Sequence, residues 1–222
     1  MSKLYVVPTP IGNLEDITLR AISILKEADL ILAEDTRKTG ILLSRYKIVK
    51  KTLSHHKFNE HKFVEQLSQR IRKGEVMALV TEAGTPGISD PGFLLIRACI
   101  RQQVEVECLP GPTAFVPALV ASGLPCERFV FEGFLPTKKG RQKRLSELSD
   151  ESRTIILYES PNRVQKCLRQ LMDVFGPDRP ACLAREISKV HEEYIRGSLQ
   201  EIITRLGDSD PKGECVILVG GR

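Results

Sequence analysis

Val76-Met-Ala-Leu-Val80, followed at once by Thr81-Glu-Ala-Gly-Thr-Pro-Gly-Ile-Ser-Asp-Pro-Gly92, decides how this chain folds. The first five residues are an unbroken apolar run, the pattern of a strand covered on both faces. Gly84, Pro86, Gly87 and Gly92, with Pro91 beside the last, cannot continue a strand or a helix. The backbone must therefore make a tight, irregular loop. A plain connection needs only about two to six residues, and this one has twelve. It brings backbone N–H groups to the C-terminal end of a buried strand, where open α/β sheets hold their ligands. Thr81 to Gly92 is predicted to be a binding loop.

The flanking sequence repeats the pattern. Leu4-Tyr-Val-Val7 reads as a first strand, stopped by Pro8-Thr-Pro-Ile-Gly-Asn13. Ile17, Ala21, Ile24 and Leu25 then fall at helical spacing within 14–25. The first turn carries no G-x-G-x-x-G and no Walker lysine, which argues against a nicotinamide dehydrogenase or a P-loop phosphotransferase. Leu30-Ile-Leu-Ala33 reads as a second strand ending in Glu34-Asp-Thr-Arg37, with a helix over 39–46. Asp35 stands either as a cleft carboxylate or as the cap of that helix. Phe63, Val64, Leu67 and Ile71 mark an amphipathic helix over 59–73. Past the binding loop come a helix over 93–102, a strand over 104–109, the breaker run Pro110-Gly-Pro-Thr-Ala114 and an Ala-rich helix to Ser122-Gly123. Alternating strands and helices predict a parallel doubly wound sheet.

After Gly123-Leu-Pro125 the character changes. Strands are expected at 129–131, 154–158, 181–184 and 215–219, with helices near 162–175 and 198–206. The chain reads as two α/β domains: residues 1–118, a parallel sheet carrying ligand loops, and residues 119–222, a mixed sheet, with the ligand cleft between them. Lys138-Lys-Gly-Arg-Gln-Lys-Arg144 places five basic residues in seven near the ligand end of the second domain. Such a run is either a solvated surface or a grip for phosphates.

Composition narrows the class. With 222 residues, 41% hydrophobic and 27% charged, the chain has the make-up of a globular protein. A net charge of +5 is mild and gains meaning only through the basic cluster. No apolar run approaches a membrane span and no signal-like start is present, so a cytoplasmic location is expected, without membrane partners. Cys99, Cys108, Cys126, Cys167, Cys182 and Cys215 show no C-x-x-C pairing and read as reduced thiols. His55, His56 and His61 lack a neighbouring carboxylate or thiol at ligand spacing, so no metal is expected.

Taken in order, Leu4 to Arg20, Ala33-Glu-Asp-Thr-Arg37, Thr81 to Gly92, Leu109-Pro-Gly-Pro-Thr-Ala114, Ser122-Gly-Leu-Pro125, Glu132-Gly-Phe-Leu-Pro136 and Leu157-Tyr-Glu159 form a set. This set closely resembles the bacterial 16S ribosomal RNA 2'-O-ribose cytidine methyltransferase family, a branch of the tetrapyrrole methylase superfamily. The resemblance implies a two-domain, homodimeric class III methyltransferase that binds S-adenosyl-L-methionine in the cleft between its domains. It places the cofactor on Ala83, Gly84, Thr85 and Ile88, with Thr113 and Ala114 toward the adenosine and Ile11 and Glu159 nearby. Thr85 stands where porphyrin-modifying relatives carry Asp, a departure that separates this branch from them. His56, Asn59 and Glu60 match a His/Asn/Glu segment of the branch, implying a substrate-side or structural role.

The implied reaction methylates the 2'-hydroxyl of a cytidine ribose in 16S RNA of the small ribosomal subunit. Alignment of nucleophile, methyl carbon and sulfur should carry much of the rate, and a general base or hydrogen-bond acceptor should help remove the hydroxyl proton. Asp35 is the first candidate, with Arg37 to hold it or a phosphate. Glu159 is a further candidate, as are Asp90 and Glu186 at predicted strand ends. Lys138, Lys139, Arg141, Lys143, Arg144 and Arg163 are the expected RNA contacts, with Arg185 and Lys189 as further orienting groups. Two other readings stay open: a corrin- or porphyrin-type methylase, which needs no basic run, and a non-catalytic ribosome-binding protein, which needs no cofactor.

Overall fold

In the computed structural model, which describes residues 2–207, 209 and 211–222, contacts divide the chain into two units, Met1–Thr113 and Ala114–Arg222. The first unit runs β1 (Lys3–Val6), α1 (Leu19–Glu27), β2 (Leu30–Ala33), α2 (Thr36–Arg45), β3 (Thr52–Ser54), α3 (Glu60–Arg72), β4 (Val76–Val80), α4 (Phe93–Arg101) and β5 (Glu105–Cys108). Its five strands pair in the order β3-β2-β4-β1-β5, and every pairing is parallel. The apolar run Val76–Val80 is the central strand.

The sheet is covered twice because its strands are apolar on both faces. Ile31, Ala33, Ala78 and Val80 face a layer from α1 and α2 that includes Ala21, Ile24, Leu25, Leu42 and Leu43. Leu30, Leu32, Met77 and Leu79 face Leu67, Ile71, Leu95 and Cys99 of α3 and α4. Alternate side chains of a strand point to opposite faces, so this double cover is the doubly wound arrangement expected from sequence.

The second unit contains α5 (Phe115–Ser122), β6 (Phe129–Phe134), α6 (Arg141–Leu148), β7 (Thr154–Glu159), α7 (Val164–Phe175), β8 (Pro180–Arg185), β9 (Glu193–Ser198), α8 (Leu199–Leu206) and β10 (Cys215–Val219). Its sheet has the order β6-β7-β10-β8-β9 and is mixed: β6 and β7 are parallel, and the other pairs antiparallel. Strand β10 is buried along its whole length. One face, with Ile155, Leu157, Leu183 and Ile217, packs on α6, α7 and α8. Helix α5 lies against β8, β9 and β10, and Arg196 of β9 donates to the carbonyl of Ala121 at 2.7 and 2.9 Å. The contacts thus assign all of α5 to the second unit, whereas a boundary at 118/119 cuts it.

Three elements differ from the sequence reading. Strand β3 is three residues long and follows Lys50-Lys51, too short and polar for a periodic signal. Strand β9 is an edge strand carrying Glu193, Arg196 and Gly197, features that blunt edges and hide strands from propensity. Helix α6, not among the helices expected from the sequence, begins within the basic run and takes in Arg141 to Arg144. No helix among the described residues is long and apolar enough to cross a membrane.

Candidate functional site

In the first unit, three strands end side by side and their loops meet. β1 lies between β4 and β5, so the segments Pro8–Asn13, Thr81–Gly92 and Leu109–Thr113 emerge as neighbours. Thr9 and Gly84 form an isolated antiparallel bridge, each N–H donating to the other's carbonyl at 2.9 Å. The Thr9 hydroxyl donates to Thr81 O at 3.1 Å, and the Thr85 hydroxyl to Pro112 O at 3.1 Å. Gly84 has φ +85°, and a Cβ there would stand 3.6 Å from Ile11 Cγ2, 3.9 Å from Pro112 O and 4.0 Å from Thr113 Cα. At Gly111 a Cβ would come within 2.7 Å of the Pro8 ring, so only glycine lets these two loops touch. Of the expected cofactor residues, Ile11, Gly84, Thr85 and Thr113 are therefore brought together. Ala83 adjoins Gly84 half-buried, Ile88 lies exposed further along the loop, and Ala114 opens the second unit.

Asp35 caps α2, as one of its two readings required. Its Oδ1 accepts from Arg37 N at 2.8 Å, and the Arg37 guanidinium grips both oxygens, Nε to Oδ1 at 3.2 Å and Nη2 to Oδ2 at 2.8 Å. The Arg37 side chain, then the Arg37 backbone N–H, hold the Asp35 carboxyl down at about 2. So long as that pair stands, Asp35 is a hydrogen-bond acceptor and a poor proton base. Its neighbour Glu34 accepts from the Thr81 hydroxyl at 2.6 Å, and Lys38 pairs with Glu82. The end of β2 is thereby tied to the root of the glycine loop.

The His/Asn/Glu segment is a structural knot in this unit. Asn59 Oδ1 accepts from His56 N at 2.7 Å, and its amide donates to Ser54 O at 3.1 Å. Glu60 Oε1 accepts from Gly92 N and Leu94 N, both at 3.0 Å. His55 is buried, its Nε2 lies 3.8 Å from Glu60 Oε1, and neither ring nitrogen has a hydrogen-bond partner among the described residues. Burial pushes the His55 pKa below its ordinary 6.5, only partly opposed by Glu60. A histidine held neutral on folding binds its proton more readily when unfolded, so its contribution to stability is complete above the unfolded pKa and is lost as pH falls. Between about pH 7.5 and about pH 5.5 the thermal midpoint should therefore drop more steeply for the native chain than for His55→Leu. Parallel curves in a pH series of melts would refute this. No cluster of three or more His, Cys, Asp and Glu side chains suited to a metal ion occurs among the described residues.

In the second unit the structure redirects three expected residues. Glu159, at the end of β7, is 3% exposed. Its Oε2 accepts from Arg141 Nη2 at 3.1 Å, while Oε1 accepts from Arg163 Nε at 2.8 Å and Ser160 N at 2.9 Å. Arg141 is itself 7% exposed and donates to Gln170 Oε1 at 2.8 Å and Pro136 O at 3.3 Å. Arg141 thus points into its own unit and leaves the set of surface phosphate contacts. The Glu159 carboxylate is enclosed by two guanidinium groups and holds them both. Arg144 is clamped by Glu132 at 2.6 Å on both oxygens and by Glu147 at 3.0 Å, which leaves Lys138, Lys139 and Lys143 as the exposed cations of the run. Arg163 keeps part of its side chain in solvent.

Of the remaining candidates, Asp90 lies half-buried in the Thr81–Gly92 loop, and Arg185, Glu186 and Lys189 sit together at the end of β8. Glu186, at φ +52°, accepts from Lys189 Nζ at 2.8 Å and Glu214 N at 2.9 Å, and Arg185 pairs with Glu193 at 2.7 Å. The sequence reading missed the Arg141–Glu159 pair and the Glu60 bonds, which join residues 18 and 32 to 34 positions apart. It also missed the Gly111–Pro8 contact, although the breakers flanking both residues marked that place.

The chain belongs to the tetrapyrrole (corrin/porphyrin) methylase family, whose model matches residues 3–203. Within it, the chain falls in the branch of ribosomal RNA small subunit methyltransferase I. The enzyme of that name from Thermotoga maritima is 44% identical over 222 residues, covering all of both chains. That from Synechocystis sp. is 47% identical over all of this chain and 80% of its own length, and that from Vibrio cholerae 48% over 98% and 77%. Among solved structures, the methyltransferase CobJ superposes with a TM-score of 0.73 at 20% identity, over 100% of this chain and 95% of that one. A uroporphyrin-III C-methyltransferase from Thermus thermophilus complexed with S-adenosylhomocysteine gives 0.69 at 21% identity, over 98% and 97%. At such identities these structures speak for the fold alone.

Proposed function

We propose that this chain transfers the methyl group of S-adenosyl-L-methionine to the 2'-hydroxyl of a cytidine ribose in the 16S RNA of the small ribosomal subunit. The observation that carries the reading is the junction of three loops at the C-terminal ends of β1, β4 and β5. It joins Ile11, Gly84, Thr85 and Thr113 in a chain whose full-length relatives bear the small-subunit methyltransferase name. These residues fit the cofactor: Gly84 takes φ +85°, a conformation that suits glycine, and its missing Cβ leaves the backbone open to a close approach. Ala83, Ile88 and Ala114 complete the proposed set.

The bound sulfonium supplies an already activated methyl group. The chain's own task is to align the ribose oxygen with it and to receive the hydroxyl proton. Asp35 and Arg37 are the proposed pair for this task. Arg37 is the exposed partner, with 90% of its side chain in solvent, so it is free to turn toward a backbone phosphate. Its departure would release the Asp35 carboxylate from the bond that holds its pKa down and make Oδ2 a better acceptor for the 2'-hydroxyl proton. Lys138, Lys139 and Lys143, with the solvent edges of Arg144 and Arg163, are proposed to grip phosphates. The family resemblance supports a homodimer, and the proposed substrate supports a cytoplasmic setting.

Transfer of labelled methyl from S-adenosylmethionine to small ribosomal subunits, naked 16S RNA and a porphyrin tests the function. Label in RNA, recovered as a 2'-O-methylated cytidine, is the expected result. Label in the porphyrin alone would overturn it.

A further inference from the structure

We infer that Glu60 is a positioning residue for the cofactor loop, fixing from another helix the end of Thr81 to Gly92 that its own sequence leaves uncapped. The inference rests on reading that loop as the S-adenosylmethionine site. Helix α4 starts at Phe93 behind Gly92, which has no side chain to receive the free N–H groups of a first turn. Glu60, the first residue of α3, supplies the missing acceptor: a single oxygen takes the N–H of Gly92 and of Leu94. Its carboxylate also lies at the positive end of α4, which favours it there.

The rest of the loop shows why this anchor bears on the ligand. Gly92 has φ +132°, and a Cβ there would stand 2.8 Å from Leu79 Cδ2, so the loop returns onto the strand it left in a form that only glycine takes. Gly87 N donates to Pro91 O at 3.1 Å and closes the last segment. The near end is held by the Thr9–Gly84 bridge and by Thr85 on Pro112. Thr85 and Ile88, the proposed ligand contacts, therefore lie between a backbone anchor on one side and the Glu60 carboxylate on the other. Asn59 sets the start of α3 through His56 and Ser54, so the His/Asn/Glu segment acts on the ligand through the loop and need not touch it.

Isothermal calorimetry with S-adenosylhomocysteine, and steady-state rates against S-adenosylmethionine, test the assignment. Without the carboxylate the binding-competent loop should become a minor population, raising Kd and the KM for the methyl donor about tenfold while kcat at saturating donor stays near native. Glu60→Gln keeps an oxygen able to take both N–H groups, so its Kd should stay within about threefold of native. Glu60→Asp is one methylene too short to reach and should resemble Glu60→Ala, which it replaces if the alanine variant does not fold. A native chain that binds the ligand, beside folded Glu60→Ala or Glu60→Asp protein with unchanged Kd and only a lowered melting point, would overturn the inference. A native chain that fails to bind S-adenosylhomocysteine would instead sink the reading of the loop itself.

Discussion

Asp35→Ala is expected to slow methyl transfer about 10²- to 10⁴-fold, the range for losing a positioned proton acceptor, while affinity for S-adenosylhomocysteine hardly changes. The expectation follows from where Asp35 stands. It lies at the end of β2, tied through its neighbour Glu34 to the root of the glycine loop, yet it makes no bond to the three-loop junction itself. Because Asp35 also caps α2, the alanine variant confounds two roles. Asparagine caps a helix about as well as aspartate, so Asp35→Asn should keep the native melting temperature and still lose most of the rate. Single-turnover kinetics beside thermal melts would decide. Native turnover in Asp35→Asn would leave Asp35 as a cap and nothing more.

Glu159→Ala is expected to cost roughly 3–5 kcal/mol of stability, the penalty for leaving a buried charge without its partner. Arg141 would remain almost fully enclosed, its guanidinium left to neutral partners such as Gln170 Oε1 and the Pro136 carbonyl. Arg163 would lose the carboxylate that aims it but can turn to water, so Arg141 dominates the cost. Urea denaturation gives the loss, and the double variant Glu159→Ala with Arg141→Met should recover much of it, because removing both charges is far cheaper than removing one. A loss below about 1 kcal/mol would mean that the pair is solvated in a way its burial does not show.

These two residues mark the line between what was legible in the chain and what was not. Asp35 was recognisable because strand, charged tetrapeptide and helix follow one another locally, and both of its readings, acceptor and cap, were open from the start. Glu159 and Arg141 had local signals too, a strand end and a basic run, and both pointed outward. A run of cations looks alike whether its arginines face water or a buried carboxylate. Only α6, starting inside the run, turned Arg141 toward β7 while Lys138, Lys139 and Lys143 stayed outside.

By itself, the sequence determined the doubly wound sheet of the first unit, the positions of its three glycine- and proline-rich loops and the family to which the chain belongs. Those features rest on interactions between near neighbours: apolar periodicity sets strands and helices, and residues that cannot hold either conformation set the loops. The tertiary structure alone decided which loops touch, that Glu60 caps a helix 32 residues away, that β3 and β9 are strands, and that Glu159 anchors two arginines. Each of these depends on strand order and register, which bring distant residues together through a packing that no local pattern records.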